Sequence, residues 1–354
     1  MSDPVRLGFV GVGLMGQCAH LKNYAQLPEC RVAAIAEPRK DTARKVAARY
    51  GVPRVYDTSE EMLAHEKLDA LVVAQPFQRH GRILCEALAS GLPVFCEKPI
   101  AWSVETGEKV IESARRNGTW IMVGYHKRSD PATMYVKEEI ARLTESGELG
   151  PMVYVRIFIP AGGDWIANGF EDVIRGDDPS VPLDLDPTPT GIDTKMLDAY
   201  TDVVNGYIHQ INLMRHLLGE AYEVAFAEPT GTLMVGRSRS GLPCMIEMVR
   251  YWTTVDWQEW AFILFEHGWI KLDIPAPMAF RRPGRVELFR DPGGRAPETV
   301  VPQIPWVHAM RQQAVNFIRA VRGEIKPPCN AEEALEDLKI AREFIRLKAL
   351  STSR

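Results

Sequence analysis

The sequence predicts an α/β fold in two parts, a doubly wound parallel sheet followed by an α+β region. Up to about Gly124, apolar strands alternate with amphipathic helices, the pattern of parallel strands joined by helical crossovers. Beyond Gly124, strands follow one another through Gly and Pro turns, which indicates an antiparallel or mixed sheet. Because 354 residues exceed the usual size of one core, we expect two domains, 1–124 and 125–354.

The first strand runs directly into a turn with the pattern Gly-x-Gly-x-x-Gly. The first glycine would permit a sharp turn, the second a close approach of a pyrophosphate, and the third close packing of a helix, predicted over Leu14 to Leu27. Backbone N–H groups and the helix dipole would then bind the phosphates of a dinucleotide. The residues assigned to this turn are Gly11, Gly13, Leu14, Met15 and Gly16.

The second strand, Val32 to Ala36, ends at Glu37, about twenty residues past the glycines. A carboxylate at this point would accept hydrogen bonds from the adenosine ribose and repel a 2′-phosphate, which favours NAD over NADP. Arg39 and Lys40 stand close enough to blur that preference, and Arg39 is itself a candidate cofactor ligand. The alternative for Glu37 is a solvated loop carboxylate.

The remaining elements follow from apolar periodicity and from capping residues. In the first domain we predict strands at Leu68–Ala74, Pro93–Cys96 and Trp120–Val123, and helices at Asp41–Tyr50, at Arg79–Ala89 and from a Ser103 cap to Gly118. In the second we predict helices at Pro131–Leu149, Ala309–Val321 and Ala331–Leu350, and strands at Met152–Pro160, Leu233–Val235, Cys244–Trp252, Glu259–Phe265 and Trp269–Ile274. The long Gly-, Pro- and Asp-rich stretch 161–204 is expected to form part of an active-site wall.

Composition excludes several classes of protein. A formal charge of −4 provides no basic field to recruit nucleic acid or an anionic membrane. The sequence contains no long uncharged apolar stretch and no leader pattern, so we expect a cytoplasmic protein. The six cysteines and eight histidines are scattered without paired spacing, which argues against a disulfide framework or a metal site.

Three further motifs join the glycine turn and Glu37. They are Glu97-Lys98-Pro99 after an apolar strand, Gly124-Tyr125-His126-Lys127-Arg128, and the run Asn205 to Asn212 that carries His209 at the start of a helix. Over nearly the whole chain, this set resembles the Gfo/Idh/MocA family of nicotinamide-dependent oxidoreductases. The resemblance implies a Rossmann domain, a second domain with a large open, mostly antiparallel sheet, and pairing through the outer face of that sheet into a homodimer or homotetramer.

The same resemblance implies roles for Lys98 and His209. Oxidation of a secondary alcohol needs a group that takes the hydroxyl proton while hydride leaves the carbon. Lys98 would contact the reacting hydroxyl, and burial beside a positive nicotinamide would lower the pKa of such a lysine. His209 would act as general base or proton relay. The alternatives are a surface lysine after a strand and a hydrogen-bonded histidine on a helix face.

Two asparagines depart from the family pattern. Polyol-oxidising branches commonly carry aspartates at the positions of Asn205 and Asn212, and an amide cannot stabilise an imidazolium by charge. The usual aspartate–histidine relay is therefore in doubt, and more of the proton chemistry is expected of Lys98.

Gln75, Pro76, His80, His126 and Arg128 are expected at the cofactor or the substrate by family position. The side-chain chemistry of four further residues suggests substrate contacts: Asp164 and Trp165 could hydrogen-bond and stack on a sugar ring, and Arg175 and Lys195 could bind an anionic substituent. His80 could instead cap its helix, Arg128 could pair with a carboxylate, Trp165 could be core, and Arg175 and Lys195 could be solvated. The further cofactor candidates are Gln75, Pro76, His80, Glu97, Lys98 and His126, and the substrate candidates are Lys98, His126, Arg128, Asp164, Trp165, Lys195, Asn205 and His209.

These motifs lead to three functional hypotheses. The first is an NAD-dependent oxidoreductase acting on a hydroxyl carbon of a sugar, polyol or related carbohydrate. The second is a glycosidase or lyase that uses tightly bound NAD⁺ to oxidise a ring hydroxyl transiently, eliminates, and returns the hydride. The third is a nucleotide-binding sensor without catalytic activity.

Overall fold

The computed structural model describes residues 3–159, 164–167, 169–179, 181–249 and 253–352. The chain forms two compact units. The first comprises Met1–Tyr125, Gly169–Gly191 and Met310–Leu338, and the second comprises His126–Asn168, Ile192–Ala309 and Lys339–Arg354. The sequence predicted a single division after residue 124, whereas two later segments also pack with the first unit.

The first unit is built on a six-stranded parallel sheet. Its strands are β1 (Val5–Val10), β2 (Cys30–Ala36), β3 (Arg54–Tyr56), β4 (Ala70–Val73), β5 (Val94–Cys96) and β6 (Ile121–Val123). They lie in the order β3-β2-β1-β4-β5-β6, the doubly wound arrangement. The order reverses between β1 and β4, and in such sheets ligands bind outside the carboxyl ends of the strands at this point.

The α-helices are distributed over both units. They are α1 (Lys22–Tyr24), α2 (Lys40–Tyr50), α3 (Ser59–His65), α4 (His80–Leu88), α5 (Val104–Arg116), α6 (Pro131–Ser146), α7 (Leu197–Asp202), α8 (Ile208–Leu218), α9 (Ala309–Val321) and α10 (Ala331–Thr352). Ser103 caps α5 as predicted, because its hydroxyl accepts the Thr106 N–H at 3.1 Å.

The helix predicted from Leu14 to Leu27 begins at Leu14 as expected, but it ends at Tyr24 and its middle is not α-helical. The chain forms a π-helix over Gly16–Leu21 and a single α-helical turn over Lys22–Tyr24. Apolar periodicity assumes the α-helical repeat and cannot reveal an i→i+5 segment. Strand β3 and helix α3 were not predicted. Strand β3 is a three-residue edge strand with an exposed surface, which gives little apolar signal.

Aromatic side chains join α9 to the core of the first unit. Phe317 of α9 is fully buried, with its ring centroid 5.7 Å from that of Phe95 and 6.3 Å from that of Tyr24. Beside β6, the Val123 N–H donates to the Cys329 carbonyl at 3.0 Å. These contacts explain why residues 310–338 belong to the unit that contains the parallel sheet.

The second unit contains an eight-stranded, mostly antiparallel sheet, which confirms the predicted fold class. Its order is β14-β13-β12-β11-β7-β10-β9-β8, and β7 and β10 form its one parallel pair among the described residues. The strands are β7 (Met152–Phe158), β8 (Tyr222–Ala227), β9 (Leu233–Ser238), β10 (Pro243–Glu247), β11 (Trp260–Phe265), β12 (Gly268–Asp273), β13 (Arg285–Arg290) and β14 (Glu298–Val300).

Several strand predictions for this unit need correction. The strand expected over Met152–Pro160 ends at Phe158, and the one expected over Cys244–Trp252 spans only Pro243–Glu247. Residues 160 and 250–252 lie outside the described part of the chain. Strands β8, β13 and β14 were missed. Strand β14 has only three residues, none of them buried, and β8 and β13 are short strands whose apolar residues are interrupted or flanked by charged ones, Glu223 in β8 and Arg285, Glu287 and Arg290 in β13.

Five of the six cysteines are buried and Cys85 is partly buried, and all are free thiols. Within the described ranges, no cluster of three or more His, Cys, Asp or Glu side chains could hold a metal ion. A search of the same ranges for a helix long and apolar enough to cross a bilayer finds none.

Candidate active site

The glycine turn between β1 and the π-helix has the geometry that a dinucleotide requires. Gly11 adopts φ +93°, and a Cβ there would lie 2.7 Å from the Ala74 carbonyl oxygen. A Cβ on Gly16 would lie 2.6 Å from the Gly11 carbonyl oxygen, so the chain crosses itself too closely for a side chain. At Gly13 a Cβ would meet Arg39 Nη2 only at 3.9 Å, which leaves room for a ligand. The turn therefore fits a pyrophosphate.

Glu37 is buried at the end of β2, where the ribose contact is predicted. Its carboxylate accepts the Val12 N–H at 3.0 Å and binds the Arg39 guanidinium through two hydrogen bonds of 2.7 and 2.8 Å. Burial raises the pKa of Glu37, but these hydrogen bonds and the Arg39 charge outweigh it and lower the pKa below its ordinary value. Glu37 is therefore a buried carboxylate rather than a solvated loop residue.

Lys98 follows β5 at the same carboxyl edge of the sheet. Its backbone N–H donates to Glu97 Oε2 at 3.1 Å, and the Lys98–Pro99 peptide bond is cis. The other Glu97 oxygen, Oε1, lies 2.5 Å from Nε2 of His20 on the π-helix. Both side chains are buried, and the His20 ring packs edge-on against Phe95 at 5.0 Å. A buried contact between a histidine and a carboxylate thus lies directly before the lysine.

His80 links two other predicted cofactor residues. Its fully buried ring lies with Nδ1 2.9 Å from the Pro99 carbonyl and Nε2 3.1 Å from the Gln75 carbonyl. Burial lowers the pKa of His80, against the opposing effect of these two carbonyls. The ring therefore holds the turn after β4 to the segment after β5. Arg79 donates to the Gln75 side-chain oxygen at 3.1 Å, which fixes the Gln75 amide next to Gly11.

The 169–191 segment packs along this edge of the first unit. Near the glycine turn, the Gln17 side chain donates to the Ile174 carbonyl at 3.0 Å and accepts the Ile174 N–H at 2.9 Å. At the start of α2, the Asp178 carboxylate accepts the Asp41 and Thr42 N–H groups, each at 2.8 Å, and the Thr42 hydroxyl at 2.6 Å.

The same segment also reaches the helix that follows β4. The Asp186 carboxylate accepts the Gly81 N–H at 2.7 Å near the start of α4, and Asp184 pairs with Arg82. The segment is therefore anchored after β2, after β1 and after β4, which are three neighbouring strands. Residues 168 and 180 lie outside the described part, so the predicted wall over 161–204 is described only in part.

In the second unit, the structure brings two predicted histidines together. The rings of His126 and His209 are 4.7 Å apart between centroids and stand edge to face at 70°. His126 lies in a 3₁₀ turn and is almost fully buried, while His209 belongs to the first turn of α8 and is partly exposed. The pair can bring two proton-carrying groups to one place.

Arg128 has an amide among its partners. Its Nε donates to Asn212 Oδ1 at 2.7 Å, and both residues are buried. The 3₁₀ turn of His126 is thereby fixed to α8, one turn beyond His209. The Asn212 side chain therefore holds the Arg128 guanidinium in place.

Other predicted substrate residues lie in exposed or partly exposed places. Asp164 accepts the Ile166 and Ala167 N–H groups at 3.2 and 2.9 Å, so its carboxylate stabilises a turn. Trp165 is 40% exposed, and the side chains of Arg175, Lys195 and Asn205 are exposed. Residues 160–163, next to Asp164, are outside the described part. The substrate roles of these residues stay predictions.

Sequence reasoning missed two features of the site. His20 stands four residues after Gly16, but a lone histidine in a helix carries no signal that it faces Glu97. The acidic residues of the 169–191 segment were considered only as loop composition. Their position in and after the run Arg175-Gly176-Asp177-Asp178 gives no indication of which helix N-terminus they cap.

Comparison with known proteins matches residues 5–125 to a family model described as the Gfo/Idh/MocA oxidoreductase family, NAD-binding Rossmann fold. An inositol 2-dehydrogenase from Corynebacterium glutamicum (strain R) is 33% identical over 159 residues, which is 44% of this chain and 45% of that protein. A scyllo-inositol 2-dehydrogenase (NAD(+)) from Bacillus subtilis is 29% identical over 45% of each chain. The matched region thus spans less than half the length of these curated relatives.

Similarity of fold extends over the whole chain. A solved dehydrogenase from Clostridium difficile superposes with a TM-score of 0.71, covering 97% of this chain and 99% of the other at 19% identity. At this level of identity the likeness concerns the fold alone. It includes both the parallel sheet and the mostly antiparallel one.

Proposed function

We propose that this chain, whose residues 5–125 match the Gfo/Idh/MocA oxidoreductase family model, transfers hydride between a nicotinamide dinucleotide, preferably NAD, and a hydroxyl carbon of a sugar, polyol or sugar derivative. The sequence similarity to inositol dehydrogenases is the reason for this substrate class. Oxidation of any one ring or chain hydroxyl of such a substrate would satisfy the proposal.

The observation that carries this proposal is the shared edge of the first sheet. The glycine turn after β1, Glu37 after β2 and Lys98 after β5 all follow the carboxyl ends of parallel strands. Ligands of doubly wound sheets bind at this edge. A bound nicotinamide would supply a hydride acceptor, and the chain would have to supply proton transfer and orientation.

Lys98 and His209 are the residues we assign to proton transfer. Lys98 takes or orients the proton of the reacting hydroxyl, and its backbone is fixed by Glu97. His209 exchanges a proton with solvent through a partly exposed ring, with His126 as its neighbour.

A direct test combines binding with turnover. Purified protein should quench or shift nicotinamide fluorescence on titration with NADH, and it should reduce NAD⁺ with at least one member of a panel of inositols, sugars, sugar acids and glycosides. Lys98→Ala should bind NADH and lose turnover by about a hundredfold or more, as expected for a group acting in proton transfer. Absence of nucleotide binding by the wild-type protein would refute the proposal, and full turnover by Lys98→Ala would refute the role of Lys98.

The 169–191 segment favours a second candidate, the redox-neutral glycosidase or lyase. A segment anchored after β2, β1 and β4 would slow dissociation of a dinucleotide bound beneath it. Slow exchange suits a reaction in which oxidised and reduced cofactor interconvert within one turnover. Aglycone release without accumulation of NADH would support this candidate, whereas stoichiometric NADH would exclude it. A Lys98→Ala protein with unchanged biological output would instead favour the non-catalytic sensor.

A further inference from the structure

The N-terminus of α2 is the part of the first unit that could recognise a 2′-phosphate. Helix α2 begins at Lys40, three residues after Glu37. A dinucleotide whose ribose reaches Glu37 would therefore bring its 2′ substituent close to this helix end. Free backbone N–H groups at a helix N-terminus bind phosphate, as do nearby arginine and lysine side chains.

In this structure a carboxylate of the protein already occupies that helix end. Asp178 accepts the N–H groups of Asp41 and Thr42, both at 2.8 Å, and the Thr42 hydroxyl at 2.6 Å. The Gly176 N–H also donates to the Thr42 hydroxyl oxygen at 3.0 Å, which holds the segment in place. These three donors lower the pKa of Asp178, so the group is a full anion at neutral pH.

The cations beside this helix end are engaged as well. Arg39 forms its two hydrogen bonds with Glu37, and the Lys40 ammonium lies 2.7 Å from an Asp57 oxygen. Asp178 also acts on the Arg39 guanidinium through its charge. An incoming phosphate would have to displace one carboxylate and compete with two others.

We propose that Asp178 is a cofactor-specificity residue, whose carboxylate holds the α2 N-terminus and excludes the 2′-phosphate of NADP while leaving the 2′-hydroxyl of NAD to Glu37. This inference rests on the proposed function, since it presumes that a nicotinamide dinucleotide binds at this edge. It assigns selectivity to a residue distant in sequence from the glycine turn and from β2.

The test compares two nucleotide pairs that differ only in the 2′-phosphate, NAD⁺ with NADP⁺ and 5′-AMP with adenosine 2′,5′-bisphosphate. Dissociation constants are measured for the wild type, Asp178→Ser and Asp178→Asn. Asp178→Ser should raise the affinity ratio of the 2′-phosphorylated to the unphosphorylated nucleotide by about fivefold or more, the size expected for opening a helix N-terminus to an anion. Asp178→Asn removes the charge but keeps an acceptor, so it should produce a smaller rise.

Asp186→Ser is the matched control, because Asp186 belongs to the same segment but accepts the Gly81 N–H near α4. It should leave both ratios unchanged. Equal shifts in Asp178→Ser and Asp186→Ser would mean general loosening of the segment and would overturn the proposal. Unchanged affinity ratios in an Asp178 variant that still binds NAD⁺ would also overturn the proposal. Equal affinity of the wild-type protein for NAD⁺ and NADP⁺ would overturn it as well. If Asp178→Ser does not fold, Asp178→Asn decides. Binding of neither dinucleotide by the wild type would refute the proposed function, and this inference with it.

Discussion

His20 Nε2 lies 2.5 Å from Glu97 Oε1, and this buried contact joins the π-helix after the glycine turn to the residue that precedes Lys98. Burial raises the pKa of Glu97, but the His20 hydrogen bond and charge and the neighbouring Lys98 lower it below its ordinary value. The carboxylate is therefore charged, and its second oxygen holds the Lys98 backbone N–H. The π-helical winding, rare in proteins and frequent at functional sites, is what places His20 here.

We expect His20→Leu to impair turnover through Lys98. The variant leaves the buried Glu97 carboxylate without its imidazole partner, so the carboxylate shifts and the Lys98 backbone shifts with it. A displacement of about 1 Å at a reacting group reduces kcat by roughly a hundredfold, while substrate KM should change little. Steady-state kinetics with the substrate found in the panel provides the measurement.

His20→Gln is the conservative comparison, since its amide can donate from a position close to Nε2. It should recover much of the kcat lost in His20→Leu. Equal loss in both variants, matched by equal loss of thermal stability, would show that His20 acts on folding and does not position Lys98.

A second buried pair predicts an effect on stability in the other unit. Lys127 Nζ lies 2.6 Å from Glu259 Oε2, with side chains 3% and 0% exposed, and Gln210 Nε2 donates to the other oxygen at 2.7 Å. Glu259→Gln would leave the Lys127 cation uncompensated in the interior and should lower the free energy of unfolding by about 3–5 kcal/mol. Denaturant unfolding monitored by fluorescence measures the loss.

The matched control is the exposed pair Lys271 and Asp273, whose side chains are 39% and 37% exposed. Asp273→Asn should cost less than about 1 kcal/mol, because solvent screens such a pair. Similar losses in the two variants would contradict the assignment of the first pair to the interior.

Asp130 predicts a dependence of stability on pH. Burial raises its pKa from 3.8 to about 6, although the N–H groups of Ala132 and Gly284 oppose the shift. The folded state binds this proton more tightly than the unfolded state, so protonated Asp130 stabilises the fold. This stabilisation is fully present below the unfolded pKa and is lost as pH rises through about 6. Between pH 4 and pH 7, the ionisation of Asp130 should cost the fold about 2 kcal/mol.

Asp130→Asn should remove this dependence, since an asparagine oxygen can still cap α6 through the Ala132 N–H. Relative to the wild type, the variant should gain stability at pH 7 and little at pH 4, as measured by thermal unfolding across that range. The exposed substitution Asp57→Asn serves as control. A difference between Asp130→Asn and the wild type that does not vary with pH would refute the prediction.

The sequence predicted those parts of the molecule that depend on local patterns. The parallel sheet follows from apolar runs separated by helical spacing, and the position of Glu37 follows from its distance to Gly11. Both depend on residues close along the chain, so the pattern suffices. The π-helix at Gly16–Leu21 was not predictable, because the contact that goes with it joins His20 to Glu97, a residue far away in sequence.

The same reason explains the other misses. Phe317 looked like any apolar residue of a terminal helix, and its packing against Phe95 is among the contacts that assign residues 310–338 to the first unit. Asp178 looked like a loop carboxylate, and its role depends on N–H groups of Asp41 and Thr42 that no periodicity connects to it. Long-range pairing of polar groups is decided by tertiary structure, which leaves little trace in a single sequence.

The outer face of the eight-stranded sheet supports the expected self-association. Five partly exposed aromatic side chains lie together on this face. The ring centroids of Phe158 and Trp260 are 5.2 Å apart, and that of Trp269 is 5.8 Å from Phe289 and 5.3 Å from Phe262. Such a contiguous aromatic surface is unusual on a monomer, so a second copy of the chain should cover it. We expect the wild type to be a dimer or tetramer by light scattering, and Phe262→Glu to reduce its mass. Val55→Glu, on the edge strand of the other sheet, should not. A monomeric wild type, or a Phe262→Glu protein of unchanged mass, would refute pairing through this face.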